Sequence, residues 1–304
     1  MRTNHSPSTS ASASPFHGLW IALVTPFRDG AVDHPALHAL VQRLGKQGAR
    51  GFVACGSTGE AAALSATEQI ATLKTVQAAA QGLPVVMGVS GYRLGDMLEW
   101  IEQLNAHGAV HPLAGVLVPA PHYIRPSQVG LVQWFTAIAD VSAAPVIVYD
   151  IPYRTGVRMD TATLLALAAH LNIQAVKDCG GDVQKTQALI NDGRLQVLAG
   201  EDAQIFSAMC LGARGAISAG AHLHTQRFAQ VIELLEGGHL HEARALWQPI
   251  PALMEALFAE PNPALIKGFF AQQGSMTDEL RAPMTAATPE ALRRLLEVNA
   301  VIVD

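Results

Sequence analysis

The stretch Ala175-Val176-Lys177-Asp178-Cys179-Gly180-Gly181-Asp182 places a lysine at the end of a short apolar run and directly before a glycine turn. A lysine in this position lies where a strand leaves the core, with its stem packed and its amine facing a pocket. Alone, it is most simply explained as a surface lysine just past a strand. Two other stretches have the same form, Gly56-Ser57-Thr58-Gly59-Glu60 and Tyr149-Asp150-Ile151-Pro152-Tyr153-Arg154-Thr155-Gly156. All three place polar side chains at the end of a predicted strand.

Short apolar runs of this kind recur along the chain, and stretches with helical spacing of apolar residues separate them. The predicted strands are Leu19–Val24, Gly51–Cys55, Val85–Gly88, Gly115–Val118, Val146–Tyr149, Gln174–Lys177, Gln196–Ala199 and Gly215–Ser218. The predicted helices between them are Pro35–Gln47, Ala66–Gln81, Leu94–His107, Gln128–Val141, Thr161–Leu171, Val183–Asn191 and Ala203–Leu211. The strands are apolar on both faces, which is typical of buried parallel strands.

This alternation predicts an α/β fold, a closed (β/α)8 or TIM barrel. An open sheet that binds a dinucleotide needs a Gly-x-Gly-x-x-Gly turn after its first strand, whereas Val24-Thr25-Pro26-Phe27 stands there. Further helical patterns predict a C-terminal helical appendage, at Phe228–Glu236, His241–Phe258, Ala264–Gln272 and Pro289–Val301. We therefore expect a flexible tail over residues 1–15, a barrel over 16–225 and a helical region over 226–304.

The composition is that of an ordinary soluble globular protein, with 50% hydrophobic and 15% charged residues and a net charge of −5. The slight acidity argues against a nucleic-acid partner. No apolar stretch is long enough to span a membrane, and Met1–Pro15 lacks the apolar core of a secretory signal. The cysteines Cys55, Cys179 and Cys210 have no paired spacing, so we expect reduced thiols in a cytoplasmic protein.

In a barrel, the side chains at the carboxyl ends of the strands face one shared site. Lys177 is able to form a Schiff base with a ketone, provided that desolvation or a nearby cation keeps its amine neutral. Tyr149 ends the neighbouring strand and is able to pass protons at such an imine. Arg154 suits a carboxylate, as do the hydroxyls and N–H groups around Ser57 and Thr58. Taken singly, Tyr149 is more easily explained as a core aromatic residue, Arg154 as a solvated charge, and Ser57 or Thr58 as a helix cap.

Histidine pairs at His222/His224 and His239/His241 suggest a metal site only weakly, because no carboxylates and cysteines accompany them at ligand spacing. We predict no metal, and we interpret these histidines as solvated or helix-end residues. Glu60 is predicted to anchor its loop.

Several of these motifs, in this order from Gly18 to Thr288, resemble the pyruvate-dependent Schiff-base aldolases, and within them the dihydrodipicolinate synthase branch. The motifs are Gly56–Glu60, Pro121–Gln128, Tyr149–Gly156, Lys177, Gly200–Ala203, Gly215–Ser218, Glu260–Pro263 and Leu280–Thr285. The resemblance implies a barrel enzyme that needs no metal or organic cofactor. It also implies a homo-oligomer, usually a tetramer built as a dimer of dimers.

The resemblance further implies that Lys177 condenses with pyruvate, that the imine becomes an enamine, and that the enamine carbon attacks an aldehyde. Tyr149 would donate and accept protons at the imine. Ser57 and Tyr123 would complete a hydroxyl relay to solvent, with Tyr123 reaching across from a neighbouring subunit.

Substrate binding is implied in the same way. Thr58 would hold the pyruvate carboxylate, Arg154 would bind the carboxylate of aspartate semialdehyde, and the segments at Gly200 and Ile217 would line the pocket. The amine of the condensed substrate would then displace the lysine and close a ring.

The identification of the acceptor aldehyde depends on fewer residues than the identification of pyruvate as the first substrate. Ser57 stands where threonine is more usual, Asp178 where glutamate follows the lysine, and Tyr153 where a small residue precedes the arginine. One alternative is a sister aldolase or dehydratase that acts on a sugar-acid or aromatic aldehyde. Another is a non-catalytic small-molecule-binding paralogue, against which the intact set of Lys177, Tyr149 and Arg154 argues.

Overall fold

The computed structural model describes residues 16–302 of the chain. Eight parallel strands close into a barrel. The strands are β1 (Gly18–Ala22), β4 (Gly51–Ala54), β5 (Val85–Gly88), β6 (Gly115–Pro119), β7 (Val146–Asp150), β8 (Ile173–Asp178), β9 (Gln196–Ala199) and β10 (Gly215–Ser218), with a small hairpin of β2 (Phe27–Arg28) and β3 (Ala31–Val32). Around the barrel they follow the order β1-β10-β9-β8-β7-β6-β5-β4. The predicted barrel is confirmed. The predicted tail over residues 1–15 lies outside the described residues, and the division into domains stays a prediction.

Helices cover the outside of the barrel and continue past its last strand. They are α1 (His34–Lys46), α2 (Ala66–Ala79), α3 (Leu94–Gly108), α4 (Gln128–Val141), α5 (Pro152–Thr155), α6 (Thr161–Leu167), α7 (Val183–Asp192), α8 (Ile205–Leu211), α9 (Thr225–Glu236), α10 (Leu240–Trp247), α11 (Ile250–Leu257), α12 (Ala264–Gln272) and α13 (Pro289–Ala300). Within residues 16–302, no helix is both long and apolar enough to cross a membrane.

Three predicted helices differ from those observed. The single helix expected over His241–Phe258 is wrong: it divides into α10 and α11, because the prolines of Gln248-Pro249-Ile250-Pro251 have no N–H group to continue the ladder. Helix α6 ends at Leu167 rather than Leu171, where the N–H groups of Ala169 and His170 bond three residues back in a tighter turn. The segment from Ala203 starts as a 3-10 turn over Asp202–Gln204, so α8 begins only at Ile205.

The core has two layers, and the alternation along β8 shows how they divide. Ala175 and Cys179 belong to the inner cluster that fills the barrel, whereas Val176 belongs to the outer cluster between sheet and helices. Because successive side chains of a strand point to opposite faces, Lys177 points into the barrel with Ala175 and Cys179. The direction of the lysine therefore follows from the pattern of its neighbours.

A buried ion pair ties the C-terminal helices to the loop after β4. The ammonium of Lys267 on α12 donates to the Glu60 carboxylate and, at 2.9 Å, to the carbonyl of Glu279. The backbone N–H of Arg281 donates to the other Glu60 oxygen at 3.1 Å. Glu60 itself adopts a left-handed conformation with φ of 53°. This geometry agrees with Glu60 as an anchor for its loop.

Candidate active site

A cavity of about 570 Å³ lies at the carboxyl ends of the barrel strands. Six of the predicted site residues line it: Ser57, Thr58, Tyr149, Arg154, Lys177 and Gly200. They come from four different strand ends, as the barrel geometry requires. The structure thus brings together most of the predicted set in one cavity.

Lys177 and Tyr149 face each other on neighbouring strands. They are register partners in β8 and β7, and Nζ of Lys177 lies 4.4 Å from the centre of the Tyr149 ring. Both side chains are buried. Burial raises the pKa of the Tyr149 phenol well above its ordinary value, and the positive charge of Arg154 acts in the opposite direction. Tyr149 is therefore a neutral hydrogen-bond donor at physiological pH.

Gly200 makes room for the lysine. A Cβ atom at this position would lie 2.3 Å from Cys179 Sγ, 2.9 Å from Lys177 Cγ and 3.0 Å from Lys177 Cε. Real Cβ atoms do not approach other heavy atoms this closely, so only glycine leaves the lysine stem in place.

The loop after β4 offers hydrogen-bond donors to the cavity. The N–H groups of Ser57 and Thr58 have no hydrogen-bond partner among residues 16–302. Neither side chain caps a helix, because Ser65 and Glu68 form the capping box of α2. The Thr58 hydroxyl accepts a hydrogen bond of 2.9 Å from the Asn262 side-chain amide. Two backbone donors and an oriented hydroxyl suit a small carboxylate.

The other side of the cavity carries charge. Arg154 and Tyr153 lie on the short helix α5, which ends at Gly156 with φ of 75°. The Tyr153 hydroxyl donates to Glu201 at 2.9 Å. The next residue, Asp202, is buried and accepts hydrogen bonds from the Ser218 hydroxyl and the Gly220 N–H, while burial raises the pKa of its carboxyl. Asp202 is thus held by the protein, whereas Arg154 and Glu201 face the cavity.

Two predicted site residues, Tyr123 and Ile217, do not line this cavity. Tyr123 is 88% exposed on the surface, in a left-handed conformation with φ of 74°. Ile217 is fully buried in the inner barrel cluster, next to its neighbour Trp20 in the first strand. Ile217 therefore supports the site from within the core.

A second cavity of about 420 Å³ adjoins the first, and Ser57, Tyr149 and Arg154 line both. His122, which precedes the exposed Tyr123, lines this second cavity from the outside. The Tyr149 side chain thus stands between the lysine and a space that extends toward the Tyr123 surface.

Sequence reasoning assigned no role in the site to three residues that shape it, namely Asn262, Glu201 and Cys179, although all three stand in the quoted stretches. Sequence reasoning could have identified Cys179, because it directly follows β8, lies two residues from Lys177 and so points to the same side as the lysine. Glu201 follows Gly200 directly. Asn262 is 204 residues from Thr58, and no local pattern signals that contact.

The histidines that the structure describes do not cluster with carboxylates or thiols. Among the described residues, no group of three or more His, Cys, Asp or Glu side chains is arranged to hold a metal ion. His222 is fully buried: its Nδ1 lies 2.7 Å from the Ala219 carbonyl, and its Nε2 accepts from the Val24 N–H at 3.3 Å. Burial lowers its pKa to about 4.

Comparison with known proteins gives a consistent result. The model of the Dihydrodipicolinate synthetase family matches residues 15–300. The chain is 38% identical over 297 residues to 4-hydroxy-tetrahydrodipicolinate synthase of Sorangium cellulosum, covering 93% of this chain and 97% of the relative. It is 36% identical over 294 residues to that of Geobacter metallireducens, covering 94% and 100%.

Among solved structures, the chloride-inhibited dihydrodipicolinate synthase of Acinetobacter baumannii, complexed with pyruvate, superposes with a TM-score of 0.89. The identity is 32%, and the match covers 94% of this chain and 99% of the other. With nearly the whole length matched in sequence and in fold, this chain belongs to the dihydrodipicolinate synthetase family.

Proposed function

We propose that this chain is a 4-hydroxy-tetrahydrodipicolinate synthase, a lyase that condenses pyruvate with L-aspartate 4-semialdehyde through a Schiff base on Lys177. The observation that carries the proposal is the buried Lys177 amine beside the Tyr149 phenol, at the bottom of a cavity with a carboxylate-binding group on each side. The names of the relatives support the choice of substrates. The product belongs to diaminopimelate and lysine biosynthesis.

The first half of the reaction takes place at Lys177. Its neutral amine adds to the ketone carbon of pyruvate, and the resulting carbinolamine loses water to form the imine. Tyr149 donates a proton to the hydroxyl group as it leaves the carbinolamine, and it accepts a proton when this step runs in reverse. Loss of a methyl proton gives the enamine, whose carbon attacks the aldehyde. Ser57, together with Tyr123 of a second copy, extends the proton path to solvent.

Binding groups at the two ends of the cavity hold the reactants. The Ser57 and Thr58 N–H groups and the Thr58 hydroxyl bind the pyruvate carboxylate, and Asn262 orients that hydroxyl. Arg154 binds the carboxylate of the semialdehyde. After the carbon–carbon bond has formed, the substrate amine adds to the imine carbon and expels the Lys177 amine, which closes the ring and releases the product.

The same proposal includes a homo-oligomer, a dimer of dimers, in the cytoplasm. Tyr123 is exposed and lies outside the catalytic cavity of its own chain, which fits a residue that serves a neighbour. The free cysteines Cys55, Cys179 and Cys210 fit a reducing compartment.

Borohydride trapping tests the pyruvate half of this proposal. Incubation with pyruvate and borohydride, followed by peptide mass mapping, should place one adduct on Lys177. The buried lysines Lys185 and Lys267, both held in ion pairs, serve as internal controls and should stay unmodified. Absence of an adduct on Lys177 would contradict the mechanism and leave a binding protein as the better interpretation.

A coupled assay with aspartate semialdehyde tests the acceptor half. Turnover of pyruvate and this aldehyde to the cyclic product is expected. An enzyme that traps pyruvate on Lys177 but leaves aspartate semialdehyde unused would be a sister aldolase or dehydratase with another aldehyde as its substrate.

A further inference from the structure

A buried carboxylate follows each of the two residues Tyr149 and Lys177. Asp150 follows Tyr149 in β7 and Asp178 follows Lys177 in β8, so the register that pairs the tyrosine with the lysine also pairs the two aspartates. Because successive side chains of a strand point to opposite faces, the aspartates point outward, toward the helices. Neither of them lines the catalytic cavity. The two carboxylates therefore lie directly behind the tyrosine and the lysine.

The start of α7 binds both carboxylates. The Lys185 ammonium donates to Oδ2 of Asp150 and, at 3.5 Å, to the carbonyl of Met159. The Thr186 hydroxyl donates to Oδ2 of Asp178. The two aspartates, the lysine and the threonine are all buried. Two consecutive residues of one helix thus hold the ends of two neighbouring strands.

The charged groups meet at Gly180. A Cβ atom at this position would lie 2.4 Å from Nζ of Lys185, 2.9 Å from Oδ2 of Asp150 and 3.1 Å from Oδ1 of Asp178. Oδ1 of Asp150 is buried and has no hydrogen-bond partner among residues 16–302. The hold on the Asp150 carboxylate therefore depends on Lys185, and glycine leaves the space in which the ammonium reaches it.

The position of each aspartate determines the position of the residue before it. A strand end that turns so that its aspartate leaves α7 also turns the preceding side chain, because the two are consecutive and lie on opposite faces. In the structure, Nζ of Lys177 lies 4.4 Å from the centre of the Tyr149 ring. Displacement of a reacting group by about 1 Å lowers a rate by about 100-fold. Loss of either contact with α7 is therefore expected to disturb the alignment of amine and phenol.

Resting on the proposed function, we propose that Lys185 and Thr186 are positioning residues for imine formation. Lys185 holds Tyr149 through Asp150, and Thr186 holds Lys177 through Asp178. Neither Lys185 nor Thr186 lines the catalytic cavity, so both act through the strand ends and not on a substrate. The proposed carboxylate-binding groups lie on the loop after β4, so the affinity for pyruvate should not depend on α7.

Thr186→Val tests the contact that holds the lysine, because valine has a similar shape but no hydroxyl group. Imine formation is followed by stopping the reaction with borohydride at timed intervals and measuring the adduct on Lys177 by mass spectrometry. The maximal rate should fall at least about tenfold, while the pyruvate concentration that gives half of this rate stays the same. Thr186→Ser, which restores the hydroxyl, should recover most of the rate.

Thr163→Val is the matched control. The Thr163 side chain is also buried, and its hydroxyl donates to Oε1 of Gln128 at 2.6 Å, on the outer helices α6 and α4. This variant loses a comparable hydrogen bond away from the ends of β7 and β8, so it should form the imine at the wild-type rate. An equal loss of rate in Thr163→Val and Thr186→Val would overturn the positioning role, because general destabilisation would explain both.

Lys185→Met/Asp150→Asn tests the contact that holds the tyrosine. Both residues are changed together, because loss of the lysine alone would leave the Asp150 charge buried without a counter-charge. The maximal rate of imine formation should again fall at least about tenfold, with the half-saturating pyruvate concentration unchanged. A wild-type rate in this double variant would overturn the role of Lys185.

Crystal structures of the wild type and of the variants give a readout that does not depend on turnover. The distance from Nζ of Lys177 to the Tyr149 ring should differ from the wild-type distance in Thr186→Val and return to it in Thr186→Ser. An unchanged distance together with an unchanged rate in Thr186→Val overturns the role of Thr186. A wild-type enzyme that does not trap pyruvate counts against the proposed function alone, and the distance then decides on the positioning role.

Discussion

A Cβ atom on Gly200 would lie 2.9 Å from Cγ of Lys177, so the residue after β9 limits where the lysine stem is able to lie. The same atom would approach Cys179 Sγ to 2.3 Å. The Lys177 amine is thus positioned by the absence of a side chain on the residue that directly follows the neighbouring strand.

Gly200→Ala should therefore displace Lys177 and slow imine formation by at least about 100-fold, the usual penalty for misplacing a reacting group by about 1 Å. The rate of borohydride trapping, followed by mass spectrometry, measures this. The double variant Gly200→Ala/Cys179→Ala should recover part of the rate, because it removes the shortest of the three close contacts. Gly108→Ala, where a Cβ would contact nothing within 4 Å, is the control. Trapping at the wild-type rate in Gly200→Ala would show that the lysine does not need this space.

Tyr123 is expected to act in the site of a second copy, and mixed oligomers test this directly. Tyr123→Phe should lose activity by about 100-fold if its hydroxyl carries protons, and Lys177→Ala should be inactive. Reassembly of the two variants together creates sites with Lys177 from one chain and Tyr123 from the other. Activity should then return toward a quarter of the wild-type value. Mixtures no more active than Tyr123→Phe alone would place Tyr123 outside the relay or within its own chain.

The buried pair of Lys267 and Glu60 predicts a large effect on stability. Lys267→Met leaves the Glu60 carboxylate buried without its cation, so the free energy of unfolding should fall by about 3 to 5 kcal/mol. Urea denaturation measures the change. Lys267→Met/Glu60→Gln should regain much of the loss, and Lys74→Met, which removes an exposed lysine, should have little effect. A loss below about 1 kcal/mol in the single variant would show that water reaches Glu60.

The buried imidazole of His222 should make the protein less stable as the pH falls. Its pKa is about 4 in the folded protein, below the ordinary value of 6.5, because of burial. As the pH falls below 6.5, His222 of the unfolded chain binds a proton, whereas His222 of the folded chain stays neutral. The free energy of unfolding therefore falls by up to about 1.4 kcal/mol per pH unit, until His222 of the folded chain also titrates near pH 4.

His222→Gln keeps one donor and one acceptor but does not titrate, so its stability should decline less steeply over this range. Denaturation midpoints measured at several pH values compare it with the wild type and with His241→Gln, a change at an exposed histidine. Parallel pH profiles of the wild type and His222→Gln would rule out the buried imidazole as a source of the slope.

Much of the fold was predictable because buried parallel strands produce apolar runs with helical stretches between them. That pattern located all eight strands and made Tyr149 and Lys177 neighbours, since consecutive strands of a barrel are adjacent. The division of His241–Phe258 was also visible in principle, through Pro249 and Pro251. The hydrogen bond from Asn262 to Thr58 and the pair of Lys267 and Glu60 were not predictable, because such contacts depend on how distant elements pack and leave no local periodicity.

The hydrogen bond from Asn262 to Thr58 also has a consequence for the order in which the protein is made. Synthesis from the amino terminus delivers Thr58, Tyr149 and Lys177 well before Asn262 emerges. A nascent chain halted between residues 177 and 262 carries the lysine and the tyrosine of the proposed reaction but lacks the amide that orients the Thr58 hydroxyl. The pocket is therefore completed only late in the synthesis of the chain.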